Sequence, residues 1–451
     1  MGHPTLVTVA VENGRLLLGH HLTRSNILIE DGRIKSVSRR RSRHVDARID
    51  ARGRIILPGL VDGHAHLHDP AFTRREDFTS GSAAAAAGGV TTVVEMVLST
   101  PVDTAERVKA KIETGIQRSL IDFSLHAGMM NLSNLRNIAA IVGLGVRSFK
   151  TFTCKPYYVD DHTLMSLMRE TASQCSILNV HAEDEATADI NYQRLMADGR
   201  LDPIAHLEWK PNIAEERAVR KVIDLASKTQ GRVHISHMST AEAVKVVRNA
   251  KNKGVKVTAE TCPHYLTLTR KDMKKLGPYL KINPSLKGPR DASVLWKALR
   301  SGIVDFVTSE HAPGERSEKD VGWQNIWKAW GGIPAIETML PVLLSEGVNK
   351  DRLSLGDLQR ICCTRPAKIF GIGRRKGRIQ PSWDADLVIV DLKMKKKVRA
   401  EELHYKVGWT PYEGRTLKGW PTLTMSRGKV IFADGQLLGE ARKAQFLTMS
   451  L

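Results

Sequence analysis

The middle of this 451-residue chain alternates short apolar runs with helical stretches, and that alternation limits its fold more than any other feature. Strands are predicted at residues 57–61, 91–95, 122–125, 148–152, 177–180, 232–235, 255–259 and 303–307. Each run is too short for a helix and is dominated by Val, Ile, Leu and Phe, as strands covered on both faces must be. Between them lie helical segments such as 80–88, alanine-rich and closed by Gly88-Gly89, and 215–227. Strand and helix in alternation build βα units, and eight such strands are what a closed parallel barrel requires. The expected fold class is α/β, a TIM-type (β/α)8 barrel.

The two ends differ from the middle. Residues 6–11 and 26–29 are short alternating segments, and Glu30-Asp31-Gly32 reads as a hairpin turn. In the tail, 385–390 and 428–432 read as further strands. Both ends are expected to combine into one smaller β-sandwich-like domain, residues 1–57 and 380–451, leaving 58–379 to the barrel.

Composition narrows the class. Five cysteines (Cys154, Cys175, Cys262, Cys362 and Cys363) form no CxxC pair, which predicts reduced thiols in a cytoplasmic protein. Residues 1–10 carry no signal-peptide pattern, and no run of about eighteen apolar residues predicts a membrane span. The net charge of +20 comes from 68 basic and 48 acidic residues. Its basic runs, at 39–41, 374–376 and 395–397, are scattered and lack interleaved aromatics. They read as solvated surface that attracts anions, with no nucleic acid as partner.

Chemistry-bearing residues gather where the strand runs stop, which in a barrel is the catalytic rim. His64 and His66, two apart on an extended chain, point to one side. His181 and Glu183 follow the fifth run, His234 and His237 the sixth, and Glu310 and His311 the eighth. Imidazoles and a carboxylate converging on one rim predict a metal site. Lys150 ends the fourth run. In a dry mouth its pKa falls, and a neutral amine takes up carbon dioxide as a carbamate. That group is a carboxylate on a long stem, able to bridge two cations.

The stretch Leu-Pro-Gly-Leu-Val-Asp-Gly-His-Ala-His at 57–66 resembles the opening motif of cyclic amidohydrolases: dihydroorotases, allantoinases and hydantoinases. The resemblance runs on through Gly-Gly-Val-Thr-Thr at 88–92, Phe149-Lys150, Val-His-Ala-Glu at 180–183 and His-Ile-Ser-His at 234–237. It continues in Ala-Glu-Thr-Cys-Pro-His-Tyr at 259–265, Lys-Ile-Asn-Pro at 281–284, Gly-Arg-Ile at 377–379 and Asp-Ala-Asp-Leu-Val at 384–388. It implies two divalent ions, zinc foremost. One would take His64, His66, the Lys150 carbamate and Glu310; the other would share the carbamate and take His181 and His237. A hydroxide between the ions would be the nucleophile, and Glu310 the catalytic base that passes its proton to the leaving nitrogen. The implied partner is a small cyclic amide, and the implied assembly a dimer or tetramer.

Departures from the family pattern bear on the substrate. Glu310 stands where the family carries aspartate, which moves the carboxylate by roughly an ångström. Dihydroorotases grip a substrate carboxylate with an arginine and a histidine where this chain has His68 and Gly314; Arg74 or Arg75 would have to substitute. Hydantoinases carry a tyrosine soon after the bridging lysine, where this chain has tyrosines only at Tyr157 and Tyr158. Allantoinases are more similar, in Asn-Ile-Trp-Lys-Ala-Trp-Gly-Gly at 325–332, Glu-Met-Val-Leu at 95–98 and the segment 410–416. The expected activity is hydrolysis of a cyclic C–N bond in an allantoin-like ureide, a hydantoin or an imide. A hydantoinase, dihydropyrimidinase or dihydroorotase-like enzyme is the alternative, and a non-catalytic scaffold is the rival from another class. Asn283 and His68 are the expected substrate-binding residues. Trp323, Trp327 and Trp330, at helical spacing, are expected to form one packed face.

Overall fold

The computed structural model describes residues 7–19, 21–98, 100–439 and 444–451. Leu6, the first residue of the first predicted strand, lies outside them. Eight barrel strands follow in chain order: Leu60–Ala65, Val90–Glu95, Asp122–Leu125 (resumed after His126 as Ala127–Gly128), Ser148–Phe152, Ile177–His181, Val233–Ile235, Val257–Thr261 and Phe306–Val307. Each pairs with the next in parallel. The ring closes beyond the short eighth strand, where Glu310 N–H donates to the His64 carbonyl (2.9 Å) and His66 N–H to that of His311 (2.7 Å).

The first predicted strand, 57–61, is in fact two. Ile55–Pro58 pairs antiparallel with Leu387–Val390 of the tail, and Leu60–Ala65 opens the barrel. The break is Gly59, whose backbone passes so close to Thr91 that a Cβ there would lie 2.2 Å from Oγ1. Gly59→Ala should therefore cost about 1–3 kcal/mol, read as a lower urea midpoint; an unchanged midpoint would show that Thr91 yields freely.

Among the described residues, nine strands from both chain ends form a second sheet, in which Thr8–Leu18 and its neighbours meet Leu387–Lys397, Thr416–Ser426, Lys429–Ala433 and Gln436–Leu437. The predicted hairpin is present: His21–Glu30 and Arg33–Ser38 turn at Asp31-Gly32, both with positive φ (48° and 76°), as a type I′ turn demands. Alternate residues Val9, Val11, Ile27, Ile29, Leu387 and Ile389 supply the core of this sheet.

One expectation about charge fails. Lys376, read as solvated with its basic neighbours, is wholly buried. Its Nζ reaches Asp122 (2.6 Å) on the third barrel strand, Asp386 (2.6 Å) and Asp384 (3.0 Å). Burial opposes the ammonium, but the three aspartates outweigh it and hold its pKa above the ordinary lysine value. The cluster fastens the tail to the barrel wall. The tryptophans depart from expectation too. They lie on short 3₁₀ turns (Val321–Trp323, Ile326–Lys328) and beyond, not on one helix face, and Trp323 is half exposed. All five cysteines are free, as expected. Among the described residues no helix is long and apolar enough to cross a membrane.

Candidate active site

The barrel strands deliver their last residues to one end, as their parallel register dictates. There a cavity of about 160 Å³ is lined by His64, His66, Lys150, His181, His237, Asn283 and Glu310. Seven residues singled out in the sequence thus meet in one place. His68 does not line it. It is buried behind His66, with ring centroids 6.1 Å apart, and neither of its ring nitrogens has a hydrogen-bond partner among the described residues.

Three of the four cavity histidines are oriented by their other ring nitrogen, whereas His237 Nδ1 is buried without a hydrogen-bond partner among the described residues. His64 Nδ1–H donates to Glu260 Oε1 (2.5 Å) and His66 Nδ1–H to the Met96 carbonyl (2.8 Å), which leaves both Nε2 atoms free. His181 Nε2–H donates to Glu183 Oε2 (2.7 Å), so its Nδ1 faces His237 Nε2 at 3.0 Å. This is how metal-binding histidines are held, by a carboxylate or carbonyl behind the ring. Donor atoms of His64, His66 and Glu310 lie within 4.8 Å of one another. Two nitrogens on one tetrahedral ion, with bonds of about 2.0–2.1 Å, stand roughly 3.3 Å apart, close to the His181–His237 separation. The donor set fits divalent cations.

Electrostatics point the same way. Burial lowers the His64 and His237 pKa values far below the ordinary imidazole range and that of His66 to about 3, so these rings stay neutral, as metal ligands must. His181 differs. Burial opposes its charge, but Cys154 and Glu183 outweigh that and raise it to about 9. Lys150 sits at the centre of the fourth strand and not at its end as expected, almost fully buried, and burial lowers its pKa from 10.5 to about 8 against the pull of Glu260 and Glu310. Its amine donates to Ser236 Oγ (2.6 Å), which donates in turn to Asn179 Oδ1 (2.5 Å). Room for it is made by Gly128 on the neighbouring strand, where a Cβ would lie 2.7 Å from that of Lys150.

Glu310 and His237 share a further mark: positive φ (47° and 35°) at non-glycine residues. Such strain, of order 1–3 kcal/mol, collects at functional sites. Glu310 Oε2 also lies 3.4 Å from His264 Nε2. His311 and His234, counted on the rim from sequence, turn elsewhere. His311 bonds Glu76 (3.1 Å), and His234 stacks on Phe306 in the barrel interior.

Arg74 and Arg75 are committed. Arg75 makes a forked pair with Glu318 (2.7 and 2.9 Å) and lies 3.6 Å over the Trp330 ring, while Arg74 holds Glu315 and Glu318. Trp330 fills the space beside Gly314, whose added Cβ would lie 2.3 Å from the indole. Neither arginine lines the cavity. The rest of its wall is mostly apolar and aromatic (Leu98, Phe152, Pro156, Tyr157, Trp209), broken by Cys154 and by Lys155 and Lys210, whose ammonium groups are paired with Glu185 and Asp189 and with Glu183.

A match to the Amidohydrolase family spans residues 55–431. The chain belongs to this family. It is 34% identical to an L-hydantoinase of Paenarthrobacter aurescens over 98% of both chains, and 34% identical to a dihydroorotase of Methanosarcina acetivorans over 97% of this chain and 95% of that one. An allantoinase of Rubrobacter xylanophilus is 35% identical over 92% of each. Among solved structures, an L-hydantoinase from Arthrobacter aurescens superposes with a TM-score of 0.94 at 33% identity, covering 98% of this chain and 99% of that one. Enzymes named for three different rings thus stand at nearly the same identity, and ring choice has to be argued from the cavity.

Sequence reasoning left Glu260 without a role, although it supports His64 and lies 3.2 Å from His234 Nε2, off the hydrogen-bond direction. An acid in the apolar run 257–261 was the available signal. Lys210 was missed outright; buried in the cavity wall, it holds Glu183 at 2.8 Å.

Proposed function

We propose that this amidohydrolase opens a small, uncharged cyclic amide of the hydantoin type, allantoin included, by hydrolysis of a ring C–N bond. Allantoin is a hydantoin carrying a ureido group, so both readings share one ring. The observation that carries the proposal is the meeting of six donors, His64, His66, Lys150, His181, His237 and Glu310, in one small cavity. At about 160 Å³ it falls below the roughly 300–1,000 Å³ of drug-sized sites, which suits a small ring. Dihydroorotate is disfavoured by the commitment of Arg74 and Arg75 and by the indole beside Gly314.

In this reading His64 and His66, through Nε2, and Glu310 would hold one divalent ion, His181 Nδ1 and His237 Nε2 would hold a second, and a carbamate on Lys150 would serve both. Zinc suits these nitrogen and oxygen donors. Such ions, when bound, would supply Lewis acidity that acidifies a water and polarises the scissile carbonyl. Glu310 takes a proton from the attacking water and carries it to the departing ring nitrogen. Asn283, whose buried Oδ1 has no hydrogen-bond partner among the described residues, supplies a polar contact for the ring amide. The aromatic wall keeps other water away.

A hydrolysis panel of allantoin, 5-substituted hydantoins, dihydrouracil, dihydroorotate and cyclic imides tests this. Turnover of hydantoin rings with none of dihydroorotate is expected; turnover of dihydroorotate alone would contradict it. Glu310→Asp should lower kcat about 10- to 100-fold, because the donor set is built around the longer side chain. A rate that rises instead would mean the glutamate is a handicap.

A further inference from the structure

Around one of the six donors, His181, stand two further metal-type ligands that hydrolysis does not use, Cys154 and Glu183. Cys154 Sγ, a ring nitrogen of His181 and a carboxylate oxygen of Glu183 lie within 4.8 Å of one another. All three residues are at least nine-tenths buried, at 3%, 7% and 1% exposure, yet Cys154 and His181 line the cavity and can be reached through it. Glu183 Oε2 accepts from His181 and Lys210, whereas buried Glu183 Oε1 has no hydrogen-bond partner among the described residues. Lys210 Nζ stands 2.8 Å from that carboxylate and 3.4 Å from Cys154 Sγ, the place a cation would take.

We propose that Cys154, His181 and Glu183 form an inhibitory site for one thiophilic divalent cation, such as cadmium or excess zinc. A thiolate selects soft ions over magnesium, calcium or manganese, and the imidazole and carboxylate complete a borderline-soft set. On binding, the Cys154 thiol and His181 Nε2 each release a proton to solvent. The Nε2–H bond to Glu183 is replaced by two bonds to the ion, and the Lys210 ammonium is displaced from between its partners. The consequence follows from the ring itself. His181 Nδ1 is the atom facing His237, so an ion captured at Nε2 changes a donor of the proposed second catalytic ion. The inhibitory effect, though not the site, rests on the hydrolytic reading above.

The test titrates the full-length, zinc-loaded protein with cadmium chloride while following the ultraviolet sulfur-to-cadmium charge-transfer band and hydantoin hydrolysis together. In the wild type the band should saturate near about one cadmium per chain as the rate falls. Cys154→Ser should lose that increment of the band and need at least about tenfold more cadmium for half-inhibition, judged against its own uninhibited rate. Cys175→Ser, which removes the exposed thiol, should keep both. An equal band in wild type and Cys154→Ser, or equal half-inhibition, would overturn the proposal. If no ring is hydrolysed at all, the proposed function fails, whereas the band in wild type and variant still decides the site.

Discussion

Lys150→Ala should lower turnover by on the order of a thousandfold or more, and a short carboxylic acid added back should restore part of it. Losing a residue that merely orients a ligand costs roughly 10–100-fold, and Lys150 is proposed to be the ligand both ions share. The setting is built for its stem. Gly128 vacates the space beside its Cβ, Ser236 meets its amine, and among the described residues Glu310 is the one acidic side chain lining the cavity. Alanine leaves a slot of the right shape and would remove the proposed shared donor. Metal content read with activity separates this from misfolding: folded Lys150→Ala should lose its second ion. Two tightly held ions and a wild-type rate in that variant would remove the bridging role.

Lys376→Met should be among the most destabilising substitutions outside the site, by about 3–5 kcal/mol. The lysine is a single buried cation shared by Asp122, Asp384 and Asp386, and a buried carboxylate stripped of its partner carries the full cost of desolvation. Arg375 on Asp384 (2.8 Å) and Arg427 near Asp122 (3.1 Å) soften the loss without replacing it. A urea midpoint that drops sharply while the folded fraction keeps its rate per molecule is the expected result. A midpoint within the error of wild type would show that the aspartates protonate or hydrate at little cost.

The barrel was legible because its signal is local. Doubly covered strands leave apolar runs, and their ends mark the rim whatever the distant contacts are. His64, His66, Lys150, His181, His237 and Glu310 were found in this way. What escaped depends on tertiary neighbours. Nothing polar interrupts 55–61, so the crossing from one sheet to the other at Gly59 shows only where Thr91 crowds it. Glu260 looked like one acid in a strand until His64 stood 2.5 Å away. Lys376 looked like one more surface charge because its aspartates are up to 254 positions distant. His68 followed two cavity histidines in sequence, but its positive φ of 55° turns the chain and leaves it behind His66.

The most direct test of the proposed centre is metal analysis of the zinc-loaded, extensively dialysed protein. About two ions per chain are predicted for the wild type, as a two-metal site requires. Fewer than about one ion per chain, in a protein shown to be folded, would contradict it.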